Sequence, residues 1–190
     1  MSRVKLSDEE NPWKKKGERI VYDNPWIQVT EHQVIDPSGN DTIYGVVSPK
    51  HLAIGIIPLD EDNNTWLIGQ YRYPLQRYSW EIVEGGAPFG EDPINAARRE
   101  LKEEAGLEAE EWIYFMEMST SNCLADEQAL FYVARNLTIG EPKPDDNEKL
   151  QLVKLPFIEA YQLVMEGRIQ DSMSVAAILK LKVLMDEGKI

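Results

Sequence analysis

The fold is decided by the stretch GGAPFGEDPINAARRELKEEAGL, which runs from Gly85 to Leu107. Asp92 followed by Pro93 predicts the start of a helix, because aspartate is a good N-cap and proline suits the first helical turn. Gly106 predicts its end, because helices commonly close on a glycine in the left-handed conformation. We expect the apolar residues of this helix to share one stripe and to pack against a sheet: Ile94, Ala97, Leu101 and Ala105.

Three glutamates form a second stripe on the same helix, because residues three and four positions apart share a face: Glu100, Glu103 and Glu104. Each of them alone is typical of a solvent-exposed helix residue. Together their like charges repel by a few tenths of a kcal/mol per pair. A hard divalent cation such as Mg²⁺ reverses the sign of this interaction, because it prefers oxygen ligands. The spacing therefore indicates a metal site.

The residues around these glutamates can complete the site. Arg99 precedes Glu103 by four residues and can pair with a carboxylate, which holds the rotamer of that side chain. Gly85 and Gly86 allow backbone conformations that other residues resist, so the main-chain carbonyl of Glu84 can face the same metal. The pattern predicts a carboxylate face on a rigid helix that opens towards a glycine-rich loop.

Composition limits the possible partners. The chain has 190 residues, of which 43% are apolar, with 33 acidic and 20 basic side chains and a formal net charge of -13. Most of the excess lies in residues 81–127, which hold 13 acidic and 3 basic residues. A charge this negative argues against nucleic acid and anionic membranes as partners, because phosphates are repelled. The negative charge still allows binding of a small phosphorylated ligand whose own charge is neutralised by metal ions.

The chain is expected to be a cytoplasmic protein. Its apolar runs are shorter than the roughly 18 residues that a membrane span needs, and the N-terminus lacks the apolar core of a secretory signal. Cys123 is the only cysteine, which excludes an intramolecular disulfide and is too little for a structural zinc site. The length predicts one domain, or one domain with a small appendage.

The remaining sequence is typical of a mixed α/β protein. The first 18 residues are polar and are expected to form an arm. Strand-forming runs separated by turn residues predict two hairpins, over residues 26–47 and 53–71. Further strands are predicted at 112–118, 129–134 and 150–155, and further helices from Pro156 to about Glu166 and from Asp171 or Ser172 to Gly188.

The opening stretch resembles the signature of the Nudix hydrolases: Gly, five residues, Glu, seven residues, Arg-Glu, an apolar residue, any residue, Glu-Glu, any residue, Gly and an apolar residue. Every fixed position is matched: Gly85, Glu91, Arg99, Glu100, Leu101, Glu103, Glu104, Gly106 and Leu107. The resemblance implies an α/β/α sandwich with a mixed sheet, plus an N-terminal antiparallel β segment. We expect residues 1–48 to form an arm and a β-hairpin for dimerisation or substrate contact, and residues 49–190 to form the catalytic domain.

The resemblance also implies hydrolysis of the pyrophosphate bond of a nucleoside diphosphate linked to another group. Water attacks a phosphorus atom, and divalent ions (Mg²⁺, or Mn²⁺) neutralise the developing charge and lower the pKa of that water. Glu100 and Glu104 are then the main metal ligands, with Glu103 close behind and the Glu84 carbonyl as a further candidate. Glu103 and Glu104 are also candidate catalytic residues. Four other residues of the motif are expected to support its structure: Gly85, Glu91, Arg99 and Gly106.

Two segments before the signature resemble the ADP-ribose and nucleotide-sugar pyrophosphatases, namely Gln70–Pro74 and Trp80–Gly86. This resemblance implies that Arg72 contacts the diphosphate, since arginine binds phosphate groups in a bidentate manner. The leading function is therefore hydrolysis of a nucleoside diphosphate sugar, with ADP-ribose as first candidate, to a nucleoside monophosphate and a sugar phosphate. The C-terminal stretch also looks like this subgroup, in which a homodimer is expected.

The same subgroup suggests roles for two more residues. Glu127 matches a glutamate of a downstream loop and is a candidate base or additional metal ligand. That loop usually carries Ser-Pro-Gly, whereas this chain has Asn122 and Cys123, which favours a broader or different nucleotide sugar than ADP-ribose alone. Trp26 is a candidate for stacking on the nucleobase, or else a strand residue buried in a dimer core.

Two other functions stay open at this point. The first is a Nudix hydrolase of dinucleoside polyphosphates or nucleoside triphosphates. The second is a non-catalytic Nudix module that binds nucleotides as a sensor. The complete set of carboxylates argues against this second function. The sequence leaves open the base, the sugar and the number of metal ions.

Overall fold

The computed structural model describes residues 6–143 and 149–190. By internal packing the described chain divides into two units. The first comprises the N-terminal part up to Lys50 together with the short segment Cys123–Asp126, and the second comprises His51–Asn122 and the described chain from Glu127 onwards. The described residues contain no helix that is both long and apolar enough to cross a membrane.

The first unit is built on an antiparallel sheet of three strands in sequential order: β1 (Lys14–Asp23), β2 (Ile27–Ile35) and β3 (Asp41–Pro49). The predicted hairpin between β2 and β3 is confirmed. Its turn is held by Asp36, whose carboxylate accepts hydrogen bonds from the N–H groups of Ser38 and Asn40 at 2.8 and 2.9 Å. Such bonds from an aspartate to the backbone just beyond it are typical of turns.

The expectation of a polar arm up to residue 18 is wrong, because β1 begins at Lys14. Strand β1 pairs with β2 along its length, from Lys14 opposite Ile35 to Asp23 opposite Gln28. Nearly all its side chains are exposed, so main-chain hydrogen bonds rather than an apolar face hold it to β2. The apolar alternation that identifies a strand in a sequence is therefore weak in this segment.

The second unit contains seven strands and three α-helices within the described residues. The strands are β4 (His51–Pro58), β5 (Asn64–Arg72), β6 (Arg77–Glu81), β7 (Val83–Pro88), β8 (Leu107–Ser119), β9 (Gln128–Ile139) and β10 (Gln151–Pro156). The helices are α1 (Pro93–Ala105), α2 (Phe157–Met165) and α3 (Ser172–Asp186). One sheet has the order β7-β4-β9-β8 and is parallel only between β4 and β9, and the other is antiparallel with the order β10-β5-β6.

Helices cover both faces of these sheets. Strand β4 shows this directly, because its two sides enter different cores. Ile54 lies in the same buried cluster as Leu101 of α1, whereas Ile57 lies in the cluster that contains Phe157 of α2 and Leu181 of α3. The predicted α/β/α sandwich with a mixed sheet, preceded by an antiparallel β segment, is confirmed.

The second predicted hairpin is wrong, because β4 and β5 enter different sheets. Strand β4 has β7 on one edge and β9 on the other, which leaves no edge for β5. Strand β5 pairs instead with β6 and β10. Local sequence specifies the turn between the two strands, but the partner on each edge is decided by segments far along the chain.

Asp60 holds this turn. Its carboxylate accepts a hydrogen bond from Asn64 N at 2.7 Å and forms an ion pair with Lys154 of β10 at 2.7 Å. Burial alone would raise its pKa, but the hydrogen bonds from Lys154 and Asn64 outweigh burial and lower the pKa of Asp60 from 3.8 to about 2. The folded protein therefore favours the charged form of this side chain.

Asp60→Asn is expected to lower the free energy of unfolding at pH 7 by about 1–2 kcal/mol. A folded-state pKa below the unfolded value gives stability that is complete above about pH 4 and is lost as the pH falls towards 2. Thermal unfolding should therefore begin several degrees lower in the variant at pH 7, and the two curves should nearly coincide at pH 2. Asp62→Asn, an exposed change on the same turn, is the control. An equal loss at both pH values would show that charge is not the cause.

Candidate functional site

Helix α1 presents the signature glutamates, and its ends lie where the sequence predicts. Asp92 is the N-cap, and its carboxylate accepts a hydrogen bond from Ile94 N at 3.2 Å. Gly106 closes the helix with φ at +65°, and a Cβ at this position would lie 2.5 Å from Pro142 N. The predicted apolar stripe is confirmed, since Ala97, Leu101 and Ala105 are buried and Ile94 packs against the same cluster.

Glu100 and Glu104 both rest on the main chain of β7. Glu100 Oε1 accepts a hydrogen bond from Gly86 N, and Glu104 Oε2 accepts one from Glu84 N, each at 3.2 Å. The Glu100 side chain occupies the space that a side chain at Gly85 would need, since a Cβ there would lie 2.0 Å from Glu100 Cδ. The two main candidate ligands are therefore anchored to the same short stretch of strand.

Both carboxylates are largely withdrawn from solvent. Glu104 is 6% exposed, and the side chain of Glu100 is 14% exposed. Burial raises the pKa of Glu100 above its ordinary value, while the charge and hydrogen bond of Arg99 oppose this effect. Additional positive charge at this position favours the ionised form, and a divalent cation supplies such charge.

Arg99 connects the glycine-rich loop to the helix. Its guanidinium donates hydrogen bonds to Gly86 O at 2.9 Å, to Glu100 Oε1 at 2.7 Å and to Glu103 Oε2 at 3.2 Å. Glu91 lies 3.6 Å away as a further ionic partner. The side chain of Glu103 is 41% exposed and is thus more accessible than that of Glu100. One arginine joins three of the acidic residues of the signature to the loop.

The donors of this region fit a hard divalent cation by their chemistry. They are carboxylate oxygens of Glu100, Glu103 and Glu104, and such cations prefer oxygen ligands. Across residues 6–143 and 149–190, no three His, Cys, Asp or Glu side chains converge as a ready metal cluster. Arg99 bonds to Glu100 and Glu103, and N–H groups of β7 bond to Glu100 and Glu104. Metal binding by this set, and by the Glu84 carbonyl, stays a prediction.

Arg72 has a partner that the sequence did not reveal. Glu81 is 2% exposed and accepts hydrogen bonds from Arg72 Nε at 3.0 Å and from Nη2 at 2.5 Å. The Arg72 side chain is 38% exposed, so part of it remains accessible. The sequence does contain one indication of this ion pair, because Glu81 lies inside the apolar run Trp80–Val83 and a buried charge requires a partner.

The side chain of Glu84 lies in a cluster that sequence reasoning also missed. Its Oε1 accepts a hydrogen bond from Ser174 Oγ at 3.0 Å, and Arg72 Nη2 lies 3.8 Å from its Oε2. Burial raises the pKa of the Glu84 carboxyl well above its usual range, Asp171 and Glu81 add to the effect, and Arg72 opposes it. The prediction for Glu84 concerned only its main-chain carbonyl as a metal ligand. The contacts of its side chain were not predicted.

Trp26 and Glu127 belong to different units. Trp26 lies between β1 and β2 in the first unit and is 66% exposed. Its main-chain N–H donates a hydrogen bond to Asn24 Oδ1 at 2.8 Å. Glu127 lies just before β9 in the second unit, and its carboxylate accepts a hydrogen bond from Thr120 Oγ1. The exposed ring of Trp26 is available for stacking, and the functional roles of both residues stay predictions.

Comparison with known proteins gives two family matches. The NUDIX domain matches residues 49–173, and the nucleoside diphosphate sugar hydrolase N-terminal domain matches residues 13–47. The chain is 37% identical to a methanol dehydrogenase activator of Bacillus methanolicus, over 68% of this chain and 71% of that protein. It is 32% identical to an ADP-ribose pyrophosphatase of Mycobacterium tuberculosis, over 67% of this chain and 63% of that protein.

A solved structure shares the fold. The crystal structure of an ADP compounds hydrolase superposes with a TM-score of 0.83, covering 97% of this chain and 100% of that one at 22% identity. The NUDIX match includes the whole signature from Gly85 to Leu107, which confirms the prediction made from those residues. The chain belongs to the Nudix family of hydrolases.

Proposed function

We propose that this enzyme hydrolyses the pyrophosphate bond of a nucleoside diphosphate sugar, with ADP-ribose as the leading substrate. The products are a nucleoside monophosphate and a sugar phosphate. The observation that carries the proposal is the anchoring of Glu100 and Glu104 on the main chain of β7, because it fixes two shielded carboxylates for a cation that binds phosphate. The N-terminal match to nucleoside diphosphate sugar hydrolases supports the substrate class, and so do the relatives named ADP-ribose pyrophosphatase.

The proposed cofactor is Mg²⁺, with Mn²⁺ as the alternative, because both ions suit oxygen ligands. Glu100 and Glu104 would hold it, with Glu103 and the Glu84 carbonyl as further ligands. When bound, such an ion neutralises charge on the phosphate oxygens and lowers the pKa of a water molecule. Arg99 restrains two of these carboxylates through its hydrogen bonds.

Three other residues are proposed to act on the substrate. Arg72 binds the diphosphate, and Glu81 orients its guanidinium, because two hydrogen bonds to one buried carboxylate restrict its rotation. Glu127 serves as base or as an additional ligand, with Thr120 orienting its carboxylate. Trp26 stacks on the nucleobase, a contact worth about 1–3 kcal/mol per base in other proteins.

The organisation of the protein is also a proposal. We infer an N-terminal segment over residues 1–48 and a catalytic domain over residues 49–190, supported by the two family matches, which end at residue 47 and begin at residue 49. The first unit exposes several large apolar side chains, namely Ile20, Tyr22, Trp26 and Ile43. Exposed apolar surface supports a homodimer, because such surface commonly marks interfaces. The composition supports the cytoplasm as the compartment.

Release of AMP from ADP-ribose by the purified enzyme tests the proposal directly. We expect turnover with Mg²⁺, its loss when EDTA chelates the metal, and its recovery when Mg²⁺ is restored in excess. A panel of ADP-ribose, GDP-mannose, UDP-glucose and a dinucleoside polyphosphate then ranks substrates by kcat/KM. Activity that survives EDTA would contradict the metal site. A higher kcat/KM for the dinucleoside polyphosphate than for the nucleotide sugars would show that the proposed substrate class is wrong. Binding of ADP-ribose without hydrolysis would indicate a sensor.

A further inference from the structure

Ser174 joins helix α3 to strand β7. It is fully buried in the first turn of α3. Its Oγ accepts a hydrogen bond from Ile82 N and donates one to Glu84 Oε1, each at 3.0 Å, while its own N–H donates to the N-cap Asp171 at 2.7 Å. The hydroxyl thus acts as donor and acceptor at once, which fixes its rotation.

These contacts continue to the helix that carries the candidate metal ligands. Glu84, whose carboxylate bonds to Ser174, donates its main-chain N–H to Glu104 Oε2 at 3.2 Å. Val83 is fully buried and Ile82, just before β7, is 2% exposed, so the start of this strand is enclosed by the core. Glu84 therefore links the start of α3 to Glu104, through its carboxylate on one side and its main-chain N–H on the other.

Packing alone does not call for a serine at position 174. Its neighbours on α3 already fill the core with apolar side chains, namely Met173, Ala177 and Ile178. A buried hydroxyl costs free energy unless it is hydrogen-bonded, and alanine would fit the same space without that cost. What the hydroxyl adds is its two hydrogen bonds, one with Ile82 N just before β7 and one with Glu84 of β7.

We propose that Ser174 is a positioning residue of the metal site, in that its hydroxyl fixes Glu84 and thereby the main-chain N–H that orients the carboxylate of Glu104. This rests on the metal site of the proposed function and extends it to the C-terminal helix. Hydrogen-bonded partners of metal ligands typically change metal affinity or activity about 10–100-fold. Since Ser174 acts on Glu104 through a second residue, the lower end of that range, about tenfold, is expected.

The test measures Mn²⁺ binding to the free enzyme without substrate, from the paramagnetic resonance signal of unbound Mn²⁺. Ser174→Ala is expected to raise the Kd for Mn²⁺ about tenfold while the protein stays folded. Ser172→Ala removes an exposed hydroxyl from the same helical turn and should leave the Kd unchanged. Ile178→Val destabilises the same helix without removing a hydrogen bond, and it should lower Tm but leave the Kd unchanged.

A double-mutant comparison separates positioning from general destabilisation. Glu84→Ala removes the partner of Ser174, so adding Ser174→Ala to it should raise the Kd little further. Fully additive losses would overturn the coupling through Glu84, and a wild-type Kd in folded Ser174→Ala would overturn the proposal itself. If Ser174→Ala does not fold, Ser174→Cys offers a weaker donor of similar size; a raised Kd there supports the proposal and a wild-type Kd overturns it.

The same titration tells failure of this inference from failure of the proposed function. Glu104→Gln should weaken Mn²⁺ binding whether or not the substrate is a nucleotide sugar. If Glu104→Gln binds Mn²⁺ like the wild type, the metal site itself is wrong and Ser174 loses its role with it. If Glu104→Gln weakens binding and Ser174→Ala does not, only the positioning role is overturned.

Discussion

Glu104→Gln is expected to lower the kcat of pyrophosphate hydrolysis by about a hundredfold or more while the protein keeps its fold. Glutamine has nearly the same shape and retains an oxygen that can accept the hydrogen bond from Glu84 N. It lacks the negative charge of the carboxylate, so it binds a divalent cation more weakly. Each 1.36 kcal/mol of lost transition-state stabilisation is tenfold in rate, so the loss of about 3 kcal/mol gives an effect of this size.

The measurement is kcat and KM for ADP-ribose over a range of Mg²⁺ concentrations, with Tm from circular dichroism as the check on folding. Glu110→Gln is the control, because it removes the same charge from an exposed position on β8. It should leave kcat and Tm unchanged. Wild-type turnover in Glu104→Gln would remove this residue from the metal site.

Gly85→Ala is expected to reduce kcat/KM by about 10–100-fold with a smaller effect on stability. An added Cβ would lie 2.0 Å from Glu100 Cδ and 2.2 Å from Glu100 Cγ, which is far inside van der Waals contact. The Glu100 side chain must therefore leave its position against β7 and its hydrogen bond from Gly86 N. We expect the Mg²⁺ concentration for half-maximal activity to rise, because a proposed metal ligand is displaced.

Gly45→Ala provides the matched control for this substitution. Gly45 also lies within a strand, and a Cβ there would meet nothing within 4 Å. The same chemical change should thus leave Tm nearly unchanged, since exposed substitutions usually stay within about 0.5 kcal/mol. If Gly85→Ala also kept wild-type activity and metal dependence, the position of Glu100 against Gly85 would have no bearing on the reaction.

Helix α1 could be predicted almost completely from the sequence, because its determinants are local. The N-cap, the closing glycine and the spacing of the glutamates all act within a few residues of one another. Asp92 bonds to Ile94 two residues on, and Gly106 takes the left-handed conformation that its type favours. The signature also predicted the neighbourhood of Arg99 and Glu103, which are one turn apart and hydrogen-bonded.

Features that depend on distant pairing could not be predicted in this way. The exposed strand β1 is defined by its pairing with β2, and its own residues indicate a strand only weakly. The contact between Ser174 and Glu84 joins two segments that only the completed fold brings together. The ion pair of Arg72 with Glu81 was easier to predict from the sequence. A glutamate between Trp80 and Ile82 requires a buried cation or a hydrogen-bond donor.

Strand β4 also sets the order in which a growing chain can assemble. Its antiparallel neighbour β7 follows early, with Leu52 opposite Ala87, whereas its parallel neighbour β9 follows much later, with Ala53 opposite Ala129. Long-range pairing is slow, because a large loop must close before any contact rewards it. During synthesis the complete signature therefore emerges while the edge of β4 that pairs with β9 is still unpaired, and Ile57 still lacks Phe157 and Leu181 from its core. The helix of the signature is thus made after β4 and β7 but before β8 and β9, and in that interval the unpaired edge of β4 exposes the nascent chain to aggregation.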